Sequence, residues 1–401
     1  MRGAFEKLNG MLSIVSFILV PIFLIMCGSN SDVEQLNAEP DSSIFIPLVD
    51  TGLTFSTSYF EIQKRPGNHN YQLLNSTISG DSTILNFYNK EENCIDSYNL
   101  RSGNYVSRMQ GIIPKEEFQT VKTTFPNEDT CYFVEESSWF IRLHRGGLDT
   151  IDYLNKKIRD QKLAVEQFRM GSSFELISDS LFFFPLHVDP YSKGLVRMYN
   201  YPMTAMYNIN SGELKTLGLK YPELYDKCNY GLLRPITQVY PPEKIVYNPN
   251  ARGEIWEYNL TSGSIQIHDL RSRYQLKEIE PLTFKSTPRT KDMLMKHADL
   301  SGEYTHLVWD PYRNVYYRFF KHFRPEKKEN GFYTTYMDDV ISVIVASENF
   351  EIIGEFMLPE PCSFIYFAYP TPDGLIINNG SLFGEENNQI NVRKINFDYI
   401  D

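Results

Sequence analysis

The chain writes one phrase three times: YNLRSG at 98–103, YNINSG at 207–212 and YNLTSG at 258–263. Each copy stands between runs rich in Val, Ile, Tyr and Phe, residues that suit a pleated strand. Each ends in a Ser-Gly pair suited to a hairpin, where glycine supplies the positive φ that the turn needs. A hairpin repeated in this way calls for a repeated fold unit. The Tyr and aliphatic residue of the phrase are expected to face an adjacent unit, and no catalytic role attaches to it.

The unit is clearest over 245–270, IVYNPNARGEIWEYNLTSGSIQIHDL. A β-prone run meets an Asn/Pro/Gly turn, a second run follows from Glu254 to Leu260, and a third from Ser264 to Leu270. Ile255, Glu257 and Asn259 alternate with Trp256, Tyr258 and Leu260, the period of a strand half buried between neighbours. Related layouts occupy 82–109, 180–219, 305–323 with 341–358, and 374–400, with a diverged copy at 130–154. Their first runs begin near 84, 182, 245, 307 and 375, and the wide first interval accommodates the diverged copy. Six copies is the economical count.

A lone meander cannot bury both of its faces, whereas a closed ring of meanders can, leaving only short edges. The pattern therefore predicts an all-β fold, a β-propeller of six blades or seven, over residues 44–401. The run TFSTSYFEIQK at 54–64 is placed to complete the last blade. A pair of irregular β-sandwiches is the competing architecture. One stretch departs from the pattern: DYLNKKIRDQKLAVEQFRMG, 152–171, spaces Leu154, Ile158, Leu163, Val165 and Phe168 near one apolar face. It predicts one short helical insertion that caps a blade, docks a partner or packs on its own domain.

With Asp+Glu at 50 against Lys+Arg at 39, the net charge is −11. Such a chain repels phosphate backbones, and with no Lys/Arg run it offers nothing to nucleic acid. Cys94, Cys131, Cys228 and Cys362 show no C-x-x-C spacing, so zinc is not indicated; buried free thiols and a single disulfide both stay open. The seven histidines lack HExxH spacing, and no Gly-rich phosphate loop or Ser-centred elbow occurs, so no metal or cofactor is expected. FIRLHRGG, 140–147, gathers Arg142, His144 and Arg145, either as an anion contact or as a solvated strand edge.

At the N-terminus Arg2 and Lys7 precede an uncharged stretch from Met11 to Met26, broken by Pro21 and shorter than a spanning helix. LIMC at 24–27, followed by Gly28 and Ser29, resembles a bacterial lipobox, with Met26 where that pattern prefers a small residue. The resemblance implies a signal peptide over 1–26, Cys27 as the lipidated residue, and a flexible tether over 27–43. The partner is then a membrane, held through the lipid anchor without a spanning segment. An uncleaved membrane anchor is the alternative. Together with THLVWDPYRNVYYRFF at 305–320 and SENFEIIGEFMLP at 347–359, these features resemble the uncharacterised β-propeller lipoproteins of Bacteroidota. That resemblance implies an outer membrane lipoprotein, on the periplasmic or cell-surface face, and brings no catalytic residues.

If a short inner strand precedes each first run, the turns YNKEEN, HVDPYSKG, NPNARG, DPYRN and NNGSLFGEEN all join second to third strands. They then gather at one end of the ring. His187, Asp189, Tyr191, Asn248, Arg252, Asp310, Tyr312, Arg313, Asn378 and Asn379 become neighbours, a mixture suited to a glycan or a peptide. The plain reading of each is turn chemistry. The function expected is a binding or scaffolding module of the cell envelope. The alternative is a propeller glycan hydrolase or lyase, with Asp189, Asp310 and Glu385 as carboxylates in the channel. A third reading is a structural subunit that docks an envelope protein.

Overall fold

A strand with large apolar residues at successive positions needs a neighbour on each face. LFFFPL at 181–186 and VYYRFF at 315–320 are such runs. In the computed structural model, which describes with short gaps residues 53–63, 71–110, 122–154, 163–165, 175–188, 201–221, 236–280, 296–358, 365–379 and 389–399, both lie inside antiparallel sheets.

After β1 (Leu53–Gln63), sheet 1 follows as β2 (Tyr71–Ser79), β3 (Ser82–Asn89), β4 (Cys94–Asn99) and β5 (Tyr105–Gln110). Sheet 2 is β6 (Lys122–Asn127), β7 (Thr130–Val134), β8 (Trp139–His144) and β9 (Gly147–Tyr153). In sheet 3, β10 (Leu163–Val165) and β11 (Glu175–Ser178) both pair with β12 (Leu181–Val188), followed by β13 (Thr204–Asn208) and β14 (Glu213–Thr216). Sheet 4 is β15 (Ile236–Val239), β16 (Lys244–Pro249), β17 (Glu254–Asn259) and β18 (Ile265–Asp269). Sheet 5 is β19 (Glu303–Asp310), β20 (Val315–Lys321), β21 (Ile341–Ser347) and β22 (Ile352–Met357). Sheet 6 holds β23 (Ile365–Thr371), β24 (Gly374–Asn379) and β25 (Gln389–Tyr399), with β1 as its fourth strand. The pairing of β1 with β25 is continuous from Leu53↔Tyr399 to Gln63↔Gln389, so the early run does complete the last sheet.

First strands touch in succession: β2 meets β6, β6 meets β11, β15 meets β19, β19 meets β23, and β23 meets β2. This is the propeller arrangement, with each first strand innermost. First-to-second and third-to-fourth hairpins share one end, called here the turn end. Second-to-third hairpins and the links between sheets share the other, the connection end.

The repeated phrase earns each of its letters at the turn end. Asn99, Asn208 and Asn259 each accept from a following backbone N–H through the side-chain oxygen: Ser102 at 3.0 Å, Ser211 at 3.0 Å and Ser262 at 2.8 Å. The serines accept in turn from Asn104, Glu213 and Ser264, each at 3.3 Å. Gly103, Gly212 and Gly263 sit at φ 69°, 68° and 68°, a conformation costly to any residue with a Cβ. The aliphatic residue closes the loop, since the N–H groups of Leu100, Ile209 and Leu260 reach Thr83, Ser180 and Glu243 of the adjoining hairpin.

Alternation along the central strands fills the gaps between sheets. Phe182 and Phe184 of β12 pack with Phe140 of β8, while Phe183 turns the other way toward Tyr247 and Trp256 of sheet 4. On β20, Tyr316 and Phe320 join that same sheet 4 cluster, and Tyr317 and Phe319 pack against Leu375 and Ile377 of β24. Each such aromatic, fully buried, contributes on the order of 2–3 kcal/mol.

Two expectations are settled only in part. Asp152 and Tyr153 end β9, Leu154 is helical, and Leu163–Val165 is a strand paired with Leu186–Val188, so no single helix spans the whole of 152–171; residues 155–162 and 166–171 lie outside the described residues. At Leu163–Val165 the flank of β12 offers ladder hydrogen bonds, and that tertiary pairing overrides a weak helical period there. Cys94 and Cys131 are buried free thiols, which excludes a disulfide at either; Cys228 and Cys362 lie outside the described residues. So do residues 1–43, with the signal peptide, the Cys27 lipidation site and the tether.

Candidate functional site

Chain order fixes which end of the ring each turn occupies. The second strands β12, β16 and β24 finish at the connection end, and with them His187, Asn248 and the Asn378–Asn379 pair. The side chains of His187, Asn378 and Asn379, and the residues Asp189 and Tyr191, lie outside the described residues. Glu385 does as well. The DPYRN turn joins β19 to β20, a first strand to a second, as the pair Asp310↔Val315 shows. Asp310, Tyr312 and Arg313 therefore stand at the turn end, across the molecule from Asn248. The expectation that all five turns share one end is corrected here: at 307 the readable run is itself the inner strand.

Two of the described turns, NPNARG and DPYRN, are built as clamps between sheets. Arg318 of β20 is fully buried and reaches across into the NPNARG turn of sheet 4. Its Nε donates to Asn248 Oδ1 at 2.7 Å, and its two Nη atoms donate to the carbonyls of Pro249, Arg252, Gly253, Glu254 and Leu270. The guanidinium plane also lies 3.6 Å from the centre of the Tyr304 ring, a cation–π contact. Asn248 spends its amide on Asn250 Oδ1 and the Tyr304 carbonyl, and it is completely buried. It is thus unavailable to a ligand. Arg252 pairs with Glu254 at 2.9 Å. A Cβ at Gly253 would stand 2.7 Å from Arg271 Nε and 3.0 Å from its Cβ, so a larger residue there would displace the Arg271 side chain.

At the turn end the direction reverses. Asp310, fully buried, accepts from the Tyr312 and Arg313 N–H groups, from Tyr317 Oη at 3.0 Å and from Arg313 Nη1 at 2.9 Å. Arg313 then donates to the Thr371 and Pro372 carbonyls in the β23–β24 turn of sheet 6, both at 2.9 Å. Tyr312 is left 46% exposed at the surface. In sheet 2, Arg142 and His144 both meet Asp149 on β9, at 2.7 and 3.1 Å, an internal pairing on the strand edge; Arg145 lies outside the described residues.

One polar chain has the composition of a hydrolytic triad in the wrong order. His322 Nε2 lies 3.0 Å from Ser342 Oγ, and Ser342 donates to Glu355 Oε1 at 2.7 Å. Because the hydroxyl gives its proton to the carboxylate, the imidazole can only donate to it and cannot act as its base. Burial pulls the His322 imidazole down to about 4, so it stays neutral. Glu355 also accepts from Ser272 Oγ and the Arg273 N–H, so this group ties the start of the β18–β19 link to sheet 5.

The same link builds a cavity of about 400 Å³ at the connection end, beside sheets 4 and 5. Sequence reasoning passed over it; the only signal was a connection far longer than a usual one, from Leu270 to Gly302. Phe323 forms an apolar wall with Lys277 Nζ 4.5 Å above its ring, and Leu300 adds to that wall. His297 Nε2 is held 2.9 Å from the Glu280 carbonyl, to which it donates. In the neutral ring Nδ1 is then an acceptor, and it has no partner among the described residues. Lys296 is occupied by Glu326 at 2.8 Å. An apolar wall with an ammonium beside it suits a small polar organic molecule. Among the described residues no three His, Cys, Asp or Glu side chains assemble as metal ligands.

The family model for a domain of unknown function, DUF4221, matches residues 37–356. A member of that family from Bacteroides vulgatus, known from its crystal structure, superposes with a TM-score of 0.67 over 87% of this chain and 99% of its own, at 17% identity. The likeness shows the fold, and the resemblance to a Bacteroidota family stands. Regucalcin, a calcium-binding protein of Agrobacterium tumefaciens, is matched with a TM-score of 0.40 at 10% identity, covering 82% of this chain and 93% of its own. BamB of Moraxella catarrhalis is matched at 0.34 and 8% identity, covering 87% and 95%. No curated protein is matched.

Proposed function

The chain belongs to the DUF4221 family, and we propose that this member is a lipid-anchored binding module of the cell envelope, taking a small polar ligand such as a glycan or peptide fragment. The observation that carries the reading is the cavity of about 400 Å³ at the connection end, within the size range of small-molecule sites. Phe323 supplies an apolar surface and Lys277 a cation. Among the described residues the buried carboxylates support binding over hydrolysis: Asp96 is engaged by Arg108, Asp310 by Arg313, Asp339 by Arg324 and Glu355 by Ser272 and Ser342, each committed to holding the fold. A glycosidase needs two carboxyl groups facing one substrate bond.

The test is a glycan and peptide screen by calorimetry on the full chain in detergent, with hits repeated on Phe323→Ala and Lys277→Ala. Binding is expected to fall about tenfold in each variant. Hits indifferent to both substitutions would remove the cavity from the proposal. Anchoring is tested separately by labelling with an alkyne fatty acid, which Cys27→Ser should abolish along with membrane fractionation.

A further inference from the structure

A sheet edge presents unpaired N–H and C=O groups that can template another strand, and edges are ordinarily defended by bulges, charges or brevity. The outer strands with described side chains follow that practice except one. β5 faces a register shift at Ser97/Tyr98 and carries Arg108; β9 has a shift opposite Phe140/Ile141 and carries Asp149; β22 has one opposite Val345/Ala346. β14 is only four residues long and bears the Glu213–Lys215 pair. β18 has no register shift and no charge before its last position: it is five residues long and its one carboxylate, Asp269, stands at its end. Its ladder to β17 is unbroken from Glu254↔Asp269 to Tyr258↔Ile265, and Ser264–His268 contains neither Pro nor Lys nor a carboxylate.

The hydrogen bonds fix what that edge shows. Asn259 donates to the Ser264 carbonyl at 3.0 Å and Leu270 to the Gly253 carbonyl at 3.1 Å, so Ser264, Gln266, His268 and Leu270 bond inward. By alternation, the N–H and C=O groups of Ile265, Ile267 and Asp269 point away from the sheet. Ile265 and Ile267 are also 51% and 67% exposed, on the face that holds Tyr258 and Trp256 opposite them. Backbone donors and acceptors at every second residue, with aliphatic side chains beside them, are the chemistry that recognises an extended peptide.

We propose that β18 is a docking edge for strand addition, accepting an extended segment of another polypeptide with aliphatic side chains at alternate positions. A second copy of this chain is disfavoured as occupant, because two molecules of net charge −11 repel at contact. The same charge favours a segment with flanking basic residues. The edge lies at the rim of sheet 4 and the cavity at the connection end, so ligand and peptide would bind independently.

The test uses the full chain in detergent and a synthetic peptide alternating valine and threonine with a lysine at each end. Hydrogen exchange should slow at the amides of Ile265, Ile267 and Asp269 when the peptide is added. Ile267→Pro deletes one outward donor while leaving every bond to β17, a substitution edges tolerate. It should weaken the peptide about tenfold or more, and Ile267→Val should not. Ile267→Lys, at a position already open to solvent, is the second variant and should weaken binding of the cationic peptide likewise. Absence of exchange protection on β18, binding unchanged in both Ile267→Pro and Ile267→Lys, or protection arising from a dimer of the chain itself would each overturn the proposal.

Discussion

The β16–β17 turn and the β19–β20 turn look alike in sequence, NPNARG against DPYRN, both short, proline-bearing and ending in or near arginine. Each turns out to hold two sheets together through a guanidinium, but in opposite senses. The first turn is a receptor: its carbonyls and Asn248 surround Arg318, which arrives from sheet 5. The second is a donor: its own Arg313, braced by Asp310, leaves to find carbonyls in sheet 6. A turn that receives must be shaped by all its backbone oxygens at once. A turn that donates needs one carboxylate to aim one side chain. The receiving clamp is therefore the one that concentrates the larger cost of failure.

Arg318→Met tests this most severely. It leaves the Asn248 oxygen and five carbonyls facing an apolar side chain in a fully buried site, and about 3–5 kcal/mol of stability should go. Urea unfolding checks it, with an unchanged m-value showing that the fold itself survives. Arg318→Lys should recover only part, since an ammonium lacks the planar fork that spans Asn248 and the Leu270 carbonyl. A loss below 1 kcal/mol in Arg318→Met would reverse the ranking of the two clamps.

Asp310→Ala comes next, at about 2–4 kcal/mol, because it strips a buried acceptor from Tyr317, Arg313 and two backbone N–H groups. Arg313→Ala alone should cost less, since Asp310 keeps its other donors. If the two losses were equal, Asp310 would act only through the arginine, and the idea of a braced donor would be replaced by a simple ion pair.

How far these features can be read from sequence depends on the range over which their cause acts. The Tyr-Asn-x-x-Ser-Gly hairpins were legible in full, because Asn259, Ser262 and Gly263 act on backbone within five residues. The closing role of β1 was legible because an unpaired strand at one terminus and a three-stranded remainder at the other have one economical solution. The end of the ring reached by DPYRN was not, since β19 carries the same alternation as a second strand would and only the pairing shows its rank. Asn248 read as ligand-facing because nothing near it announces that a residue 70 positions on will occupy its oxygen. The cavity stayed hidden for the same reason: Lys277, His297 and Phe323 meet only after the link between β18 and β19 folds across sheet 5.

The comparison is sharpened further by acid. His322 lies at the connection end, just past β20, and its folded-state value of about 4 stands below the ordinary 6.5. The unfolded chain therefore binds the proton more readily. The penalty is absent above about pH 6.5 and grows as pH falls toward 4. With partial solvent exposure, about 1–2 kcal/mol should be lost over that window. His322→Gln keeps a donor for Ser342 and should flatten the dependence, measured as unfolding midpoints at pH 7 and pH 4.5. An equally steep dependence in the variant would assign acid sensitivity to another group.

The weakest clamp should prove nearly silent. Arg101, in the YNLRSG turn of sheet 1, reaches Asp373 of the β23–β24 turn at 3.4 Å, the same turn whose carbonyls Arg313 holds from the other side. Its side chain is 74% exposed and that of Asp373 35%, so water and salt screen the pair and side-chain ordering offsets most of the attraction. Arg101→Ala should shift stability by less than about 0.5 kcal/mol, and raising the salt should erase even that. A loss comparable to that of Arg313→Ala would mean that the seam between sheets 6 and 1 leans on this pair. The seam has a better source of strength: β1, the first strand among the described residues, pairs along the whole of β25 in sheet 6, and the chain then goes on to form sheet 1. Hydrogen bonds along eleven paired positions do not depend on ionic strength, so a surface ion pair beside them has little left to decide.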